Sequence, residues 1–362
     1  MDFQKAFDKV PHKRLIKKAE SYGIGGVVIQ WIEAFLTDRE QKVRINSSYS
    51  INHDVSSGIP QGSVLGPLLF VLYINDLPDA VNSPTYLFAD DTKIFRGIHS
   101  QEDSDILQED IEKLFQWSNK WLLKFHPDKC VTLSINSKMS EDRSYSMGNT
   151  KLKSVKQEKD IGIIIDSDLS FGEHISCKVN KANKVMGLIR RTFSYLDNDM
   201  FRKLFKALVR PHLEYGSSVW HPNLLKDIRT VENVQRRATK MLPGMKHLSY
   251  EERLRLLHLP TLAFRRTRDT YKLTSGKYDK EVGAHILKML DTDSAVTRGH
   301  SSKLFLQRAN KAIRQNSFGL RVVKLWNSLP EDIVEAPSIY AFERRYDKFM
   351  SRNNSEEIYT AP

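Results

Sequence analysis

Only two cysteines, Cys130 and Cys177, occur in 362 residues. That is too few for a disulfide framework, and their spacing is not that of metal ligands, so both read as reduced thiols. No run of about 18 apolar residues exists to span a bilayer, and the basic-then-apolar signature of a secretion signal is missing, so an intracellular chain with no membrane partner is expected. Internal repeats and low-complexity tracts are absent as well, which argues against a solenoid or a biased linker protein. Disorder is excluded by composition, because 40% of the residues are hydrophobic and 28% charged. The length suffices for two or three domains, each with its own core.

Acidic residues are in short supply in one part of the chain only. Residues 1–165 hold 21 Lys+Arg against 22 Asp+Glu, so the formal charge of +12 comes from the residues that follow. A near-neutral part holding acids, followed by a cationic part, suits an enzyme acting on a phosphate polymer, one region for chemistry and another for grip. A generic basic surface would give the same totals.

The apolar spacing predicts two helices over 12–36, broken by Gly23, Gly25 and Gly26. Alternation over 41–55 predicts a hairpin, and VLGPLLFVLYIND, within 63–77, a helix with Pro67 near its start. YLFADDTKIF (86–95) reads as two short strands flanking an acidic turn. A helix over 104–125, capped by Asp103 or Ser104, precedes two strands, CVTLSI and DIGIIID. The expected class up to residue 166 is α+β, one sheet covered by helices. Beyond it, 174–193, 199–210 and 225–242 predict amphipathic helices with cationic faces; SGKYDKEVG (275–283) reads as a linker, and 321–349 carries two Pro-marked turns between apolar stretches.

Asp90 and Asp91 are adjacent acids in an otherwise strand-like run, where two like charges disfavour each other. A divalent cation is the natural partner, and Mg²⁺ takes one or two carboxylates together with substrate phosphates. MDFQKAFD offers Asp2 and Asp8 as further acids, and two bridged metals would activate a 3′-hydroxyl and stabilise a leaving pyrophosphate. Solvated turn acids account for the same dipeptide. A zinc site built from His174, Cys177, His212 and His221 lacks any recognised spacing.

DFQKAFD (2–8), SGIPQGSVLGPLLFVLYINDLP (57–78) and FADD (88–91), in that order and at short separations, resemble motifs A, B and C of the reverse transcriptases of non-LTR, LINE-type, jockey-like retrotransposons. WLLKFHPDKC resembles motif D, EKDIGIIID the strand leading to the primer grip, and RVVKLWNSLPEDIVEAPS the tail of jockey-like elements. The resemblance implies a palm with a ferredoxin-like antiparallel sheet over 1–166, a helical basic thumb over 167–275 and a tail region over 284–362. It implies an RNA-directed DNA polymerase using an RNA template, a DNA primer, deoxynucleoside triphosphates and two Mg²⁺ or Mn²⁺ ions.

By that resemblance Asp2 and Asp90 are metal ligands, Asp91 supports or joins them, and the Phe3 carbonyl completes a metal site. Phe7 matches the steric gate against a ribose 2′-hydroxyl, its alternative being a core aromatic. Pro60, Gln61 and Gly62 match the loop beneath the incoming nucleotide, and Lys129 the motif D lysine that protonates or neutralises pyrophosphate. Asp8 is expected to cap the next helix. Lys178, Lys181, Lys184, Arg190, Arg191, Arg236 and Arg237 would track a duplex backbone. Only Met1 precedes Asp2, and a terminal residue frays unless pairing ties it down. The fingers are therefore expected to be missing from this chain, leaving a non-catalytic nucleic-acid-binding remnant as the competing reading.

Overall fold

Pro11, extended at φ −73° and ψ 121°, delivers the chain into α1 (His12–Ser21), and glycines with positive φ at Gly23 and Gly26 turn it into α2 (Gly26–Leu36). The structure is a computed structural model that describes residues 1–135, 143–274, 300, 302–353 and 358–360. It divides into two units, Met1–Lys156 and Gln157–Pro362. The expected linker at 275–283 lies outside the described residues.

In the first unit, a nested hairpin pairs β1 (Glu40–Gln41) with β4 (His53–Asp54) and, inside it, β2 (Arg44–Ile45) with β3 (Ser48–Tyr49). The apolar helix α3 (Leu65–Ile74) buries Leu69, Phe70 and Tyr73 completely, against Leu15 of α1 and Leu36 of α2. Lys18 of α1 is buried beside it, donating to the Tyr73 carbonyl and to the Asp76 carboxylate, with its ammonium 3.8 Å from the Trp121 ring centroid. Its burial, only partly offset by Asp76, holds its pKa below the usual lysine range.

The acidic run forms a hairpin, β5 (Thr85–Phe88) with β6 (Asp91–Ile94), joined through Ala89 and Asp90. The helix expected from 104 begins earlier, as α4 (Gln101–Lys120). Ser100 rather than Asp103 or Ser104 is its cap, because the Asp103 carboxylate folds back onto the His99 and Ser100 N–H groups and completes a capping box. α4 turns Ile111, Leu114 and Trp117 into the core. β7 (Val131–Leu133) runs parallel to β10 (Lys153–Val155), and β8 (Ser146–Met147) pairs with β9 (Thr150–Lys151). Among the described residues no regular ladder exceeds two strands.

The second unit starts with a hairpin. EKDIGIIID supplies most of β11 (Gln157–Asp160) and β12 (Ile163–Asp166), turning at Ile161 and Gly162, both at positive φ, where a single strand was expected. The Asp166 carboxylate then accepts from the Asp168, Ser170 and Phe171 N–H groups and leads into α5 (Gly172–Thr192). The helix expected over 199–210 is α6 (Asn198–Leu204) and α7 (Arg210–Glu214), separated by a π-helical turn at Phe205–Val209. Pro211 has no N–H to continue an α-helical ladder and crowds the carbonyl four residues back.

α8 (Ser217–Trp220), α9 (Leu225–Thr239) and α10 (Tyr250–Leu257) complete a core around Ile175, Phe201, Phe205 and Trp220. α11 (Leu262–Thr274) places Leu262 in that core and Phe264 and Tyr271 in a second one. The second core is shared with α13 (Phe318–Asn327), α14 (Glu331–Val334) and α15 (Ile339–Asn353), which follow the short α12 (Ala312–Gln315) and contribute Trp326, Ile333 and Phe342. No helix among the described residues is long and apolar enough to cross a membrane.

Candidate active site

The start of the chain is hydrogen-bonded on both edges. The Met1 ammonium donates to the Thr92 carbonyl at 2.7 Å, and the Thr92 N–H returns to the Met1 carbonyl at 3.2 Å. On the other edge the His126 N–H donates to Asp2 O and the Gln4 N–H to Lys124 O, each at 2.8 Å, around an antiparallel Phe3–Phe125 bridge. The two phenyl rings stack at 4.3 Å, and Phe3 is only 3% exposed. Residues 1–3 thus lie between β6 and 124–126, and the chain turns at Gln4 and Lys5. The fraying expected of a terminal residue is prevented by these bonds and by burial of Phe3.

Reciprocal bonds make Met1 and Thr92 a hydrogen-bonded antiparallel pair. The next residues along the two segments are Asp2 and Asp91. Asp90 stands in the adjoining turn beside Ala89, whose φ of 50° is strained for a residue with a Cβ. Asp90 is half-buried and makes no hydrogen bond or ion pair with any described residue, whereas Asp2 has Lys129 Nζ at 3.2 Å from its Oδ2. The lysine is 61% exposed, so the pair is a weak, water-screened one.

Among the described residues no three His, Cys, Asp or Glu side chains gather as a metal-binding group. The zinc alternative falls with that finding. His174 is buried and committed through Nδ1 to the Ile164 N–H. Cys130 lies under the site, its Sγ 3.9 Å from the Asp2 carbonyl, and burial pushes its thiol pKa up, as expected for an inert, reduced cysteine.

The 57–62 loop is tied to the segment after Asp2. The Gly58 N–H donates to Val10 O at 2.8 Å, the Ile59 N–H to Phe7 O at 2.7 Å, and the Gln61 amide to the Asp8 carboxylate at 2.9 Å. Asp8 therefore tethers the loop instead of capping α1, whose start has no side-chain cap. Gly58 sits at φ +88° with Asp8 backbone atoms 2.6–2.8 Å from where a Cβ would stand. Its carbonyl accepts from His12 Nε2 at 2.8 Å and from Arg39 at 2.7 Å. Phe7 is half-buried and stacks on Phe70 at 4.5 Å. Pro60 is half-buried, Gln61 and Gly62 are exposed, and Gly62, at φ +81°, has open space around it.

Residues 1–178 match the model of the reverse transcriptase (RNA-dependent DNA polymerase) family. This chain carries a reverse transcriptase domain. The relatives it is similar to are RNA-directed DNA polymerases of non-LTR retrotransposons, and the reverse transcriptase family works with divalent metal ions. The chain is 29% identical over 264 residues to a probable RNA-directed DNA polymerase from transposon BS of Drosophila melanogaster. It is 27% identical over 261 residues to the RNA-directed DNA polymerase from mobile element jockey of Drosophila funebris. Each match takes in 67% of this chain and 28% of the relative, so the chain spans under a third of those proteins. A Pol polyprotein from type-1 retrotransposable element R1 of Bradysia coprophila matches at 24% over 62% of this chain and 23% of its own length.

The reverse transcriptase match ends within α5, where the expected nucleic-acid contacts begin. Lys181, Lys184, Arg190 and Arg191 are exposed on that helix, with 181, 184 and 191 on one face. Lys178 and Arg236 are half-buried beside tyrosines, 5.7 Å from the Tyr215 and 4.7 Å from the Tyr250 ring centroids, and Arg237 donates to Asn183 at 3.1 Å, tying α9 to α5. Sequence reasoning passed over Gly58, His12, Arg39 and the Asp8–Gln61 tether. Gly58 lies within SGIPQG (57–62), but a glycine there does not announce which backbone it touches.

Proposed function

We propose that this chain is the palm and thumb portion of an RNA-directed DNA polymerase, with the palm in 1–166, the thumb in 167–275 and a family tail over 284–362. The observation that supports it is the segment 1–3, bonded through Met1 to Thr92, the residue after Asp90 and Asp91, and through Phe3 to Phe125, with Asp2 between. Their carboxylates are hard oxygen donors, partly open to solvent, and suit Mg²⁺ or Mn²⁺ held jointly with substrate phosphates. Asp2, Asp90 and Asp91, with the Phe3 carbonyl, would hold two such ions. When bound, these supply Lewis-acid activation of a primer 3′-hydroxyl and charge neutralisation at the leaving pyrophosphate.

The remaining roles belong to the chain's own side chains. Phe7, held against Phe70, is a rigid wall that leaves a ribose 2′-hydroxyl unpaired. Pro60, Gln61 and Gly62 support the incoming deoxynucleoside triphosphate and template, with Gly62 open to close approach. Lys129 is placed to neutralise or protonate pyrophosphate once it leaves Asp2. The exposed cations of α5, with Lys178, Arg236 and Arg237, hold the phosphates of an RNA template paired to a DNA primer without reading sequence.

Primer extension on poly-rA/oligo-dT with Mg²⁺ or Mn²⁺ tests this reading. Incorporation is expected, and Asp90→Asn abolishes it. A second reading, a nucleic-acid-binding protein without catalysis, is favoured by the finding that no three His, Cys, Asp or Glu side chains gather as a metal-binding group among the described residues. Salt-dependent binding indifferent to Mg²⁺ and to Asp90→Asn, with no incorporation, would establish it.

A further inference from the structure

The second unit buries a cation to which no described carboxylate is hydrogen-bonded. Arg266, on α11, is 1% exposed, and neither its Nε nor its Nη1 has a hydrogen-bond partner. An arginine cannot shed its proton, and a buried charge without a partner is strongly unfavourable. The two acids that act on it are already occupied. Glu214 takes a bidentate pair from Arg265 and a further contact from Arg210 at 3.5 Å. Glu232 accepts from the Tyr250 hydroxyl and from the Leu262 and Ala263 N–H groups at the start of α11.

Two further side chains add unused nitrogens. Arg321 of α13 donates from its Nη atoms to the Ser218 and Asn316 carbonyls, at 2.7 Å and 3.2 Å, but its Nε is buried without a partner. His221, directly after α8, has a buried Nδ1 without one. α11 packs against both α8 and α13. Burial and the nearby Arg321 and Arg266 guanidinium groups push the His221 pKa down to about 3, so the ring is neutral.

We infer that Arg266, Arg321 and His221 form a binding site for a phosphate dianion, a function separate from nucleotidyl transfer and independent of it. Among the described residues no carboxylate is hydrogen-bonded to either guanidinium, so each carries a positive charge left to balance. A carboxylate would balance one, whereas a phosphate monoester or free phosphate carries about −1.5 to −2 at neutral pH. Guanidinium N–H groups match its oxygens in geometry, and a neutral His221 can donate or accept at the remaining position. The same chemistry is offered by inorganic phosphate and by the terminal phosphate of a strand, and the experiment separates them.

The test is calorimetric titration of the full chain with inorganic phosphate at constant ionic strength, followed by a 5′-phosphorylated dinucleotide and its unphosphorylated counterpart. Saturable phosphate binding is expected, weakened roughly 10–100-fold by Arg321→Met, since hydrogen bonds between charged partners are lost. Competition by the phosphorylated dinucleotide alone assigns the site to strand ends; binding of inorganic phosphate only assigns it to the free ion. Tenfold excess of phosphate over its Kd should raise the thermal midpoint by about 3–6 °C, an effect lost in Arg266→Met. No saturable binding by the unmodified chain would overturn the inference, a result independent of how any variant folds. Binding that survives Arg321→Met but falls with Lys181→Ala and Lys184→Ala would overturn it too, as surface association.

Discussion

Replacing Gly58 by alanine separates steric fit from backbone strain, because Gly62, four residues on, supplies the control. Both glycines hold left-handed backbone, at φ +88° and φ +81°. A Cβ at Gly58 would stand 2.6 Å from the Asp8 carbonyl oxygen, whereas one at Gly62 meets nothing within 4 Å. Alanine at either site carries about 1 kcal/mol of conformational strain, offset in part by about 0.4–1 kcal/mol from a stiffer unfolded chain. Gly58→Ala adds an overlap with backbone that cannot rotate away, about 1–3 kcal/mol by analogy with overpacked cores. The expected losses are therefore under about 1 kcal/mol for Gly62→Ala and about 1–3.5 kcal/mol for Gly58→Ala. Native-state hydrogen exchange at the Gly58 and Ile59 N–H groups, which donate to Val10 and Phe7, reads this locally. Equal protection in the two variants would refute the claim that the loop is seated against Asp8.

Acid should destabilise the second unit through His174. Burial and the nearby Lys178 push its pKa down to about 4 from an ordinary 6.5, and its Nδ1 faces the Ile164 N–H, so a proton there meets a donor instead of an acceptor. The unfolded chain binds the extra proton first, so the stability is fully present above about pH 6.5 and is lost as pH falls toward 4, by about 3 kcal/mol at most. Urea midpoints across that range, compared with His174→Phe, check it; parallel curves would discount the histidine. Lys18→Met removes the bonds to Tyr73 O and Asp76 and the contacts with three aromatic rings, Asp76 being left open to water. The expected loss is about 1–3 kcal/mol in chemical denaturation of the first unit, and a gain in stability would show the buried ammonium to be a net burden.

Local periodicity made much of the secondary structure legible. The two helices of 12–36 and the hairpin around the acidic turn follow from residues within one or two turns of each other. So does α5, although its approach through Asp166 does not. Where a boundary was missed, a side chain had bonded to backbone in a way composition does not reveal, as when Asp103 completes the box that lets Ser100 cap α4. The π-helical turn was legible in principle, since Pro211 stands inside an otherwise regular apolar repeat.

The candidate site was legible as residues and illegible as a register. FADD and DFQKAFD name the acids, but nothing in either string says which backbone lies beside Asp2. That choice is made by Phe3, whose ring finds Phe125 more than a hundred residues away and brings the 124–126 segment with it, while Thr92 closes the other edge. A one-residue slip would turn Asp2 inward and Phe3 out, exposing an aromatic ring and burying a carboxylate, two unfavourable changes that act together. The alternation of acid and phenylalanine at 2–3 thus fixes the strand's face, and the backbone bonds on both edges fix its position. Asp2 is held in place because its apolar neighbour Phe3 has nowhere else to go.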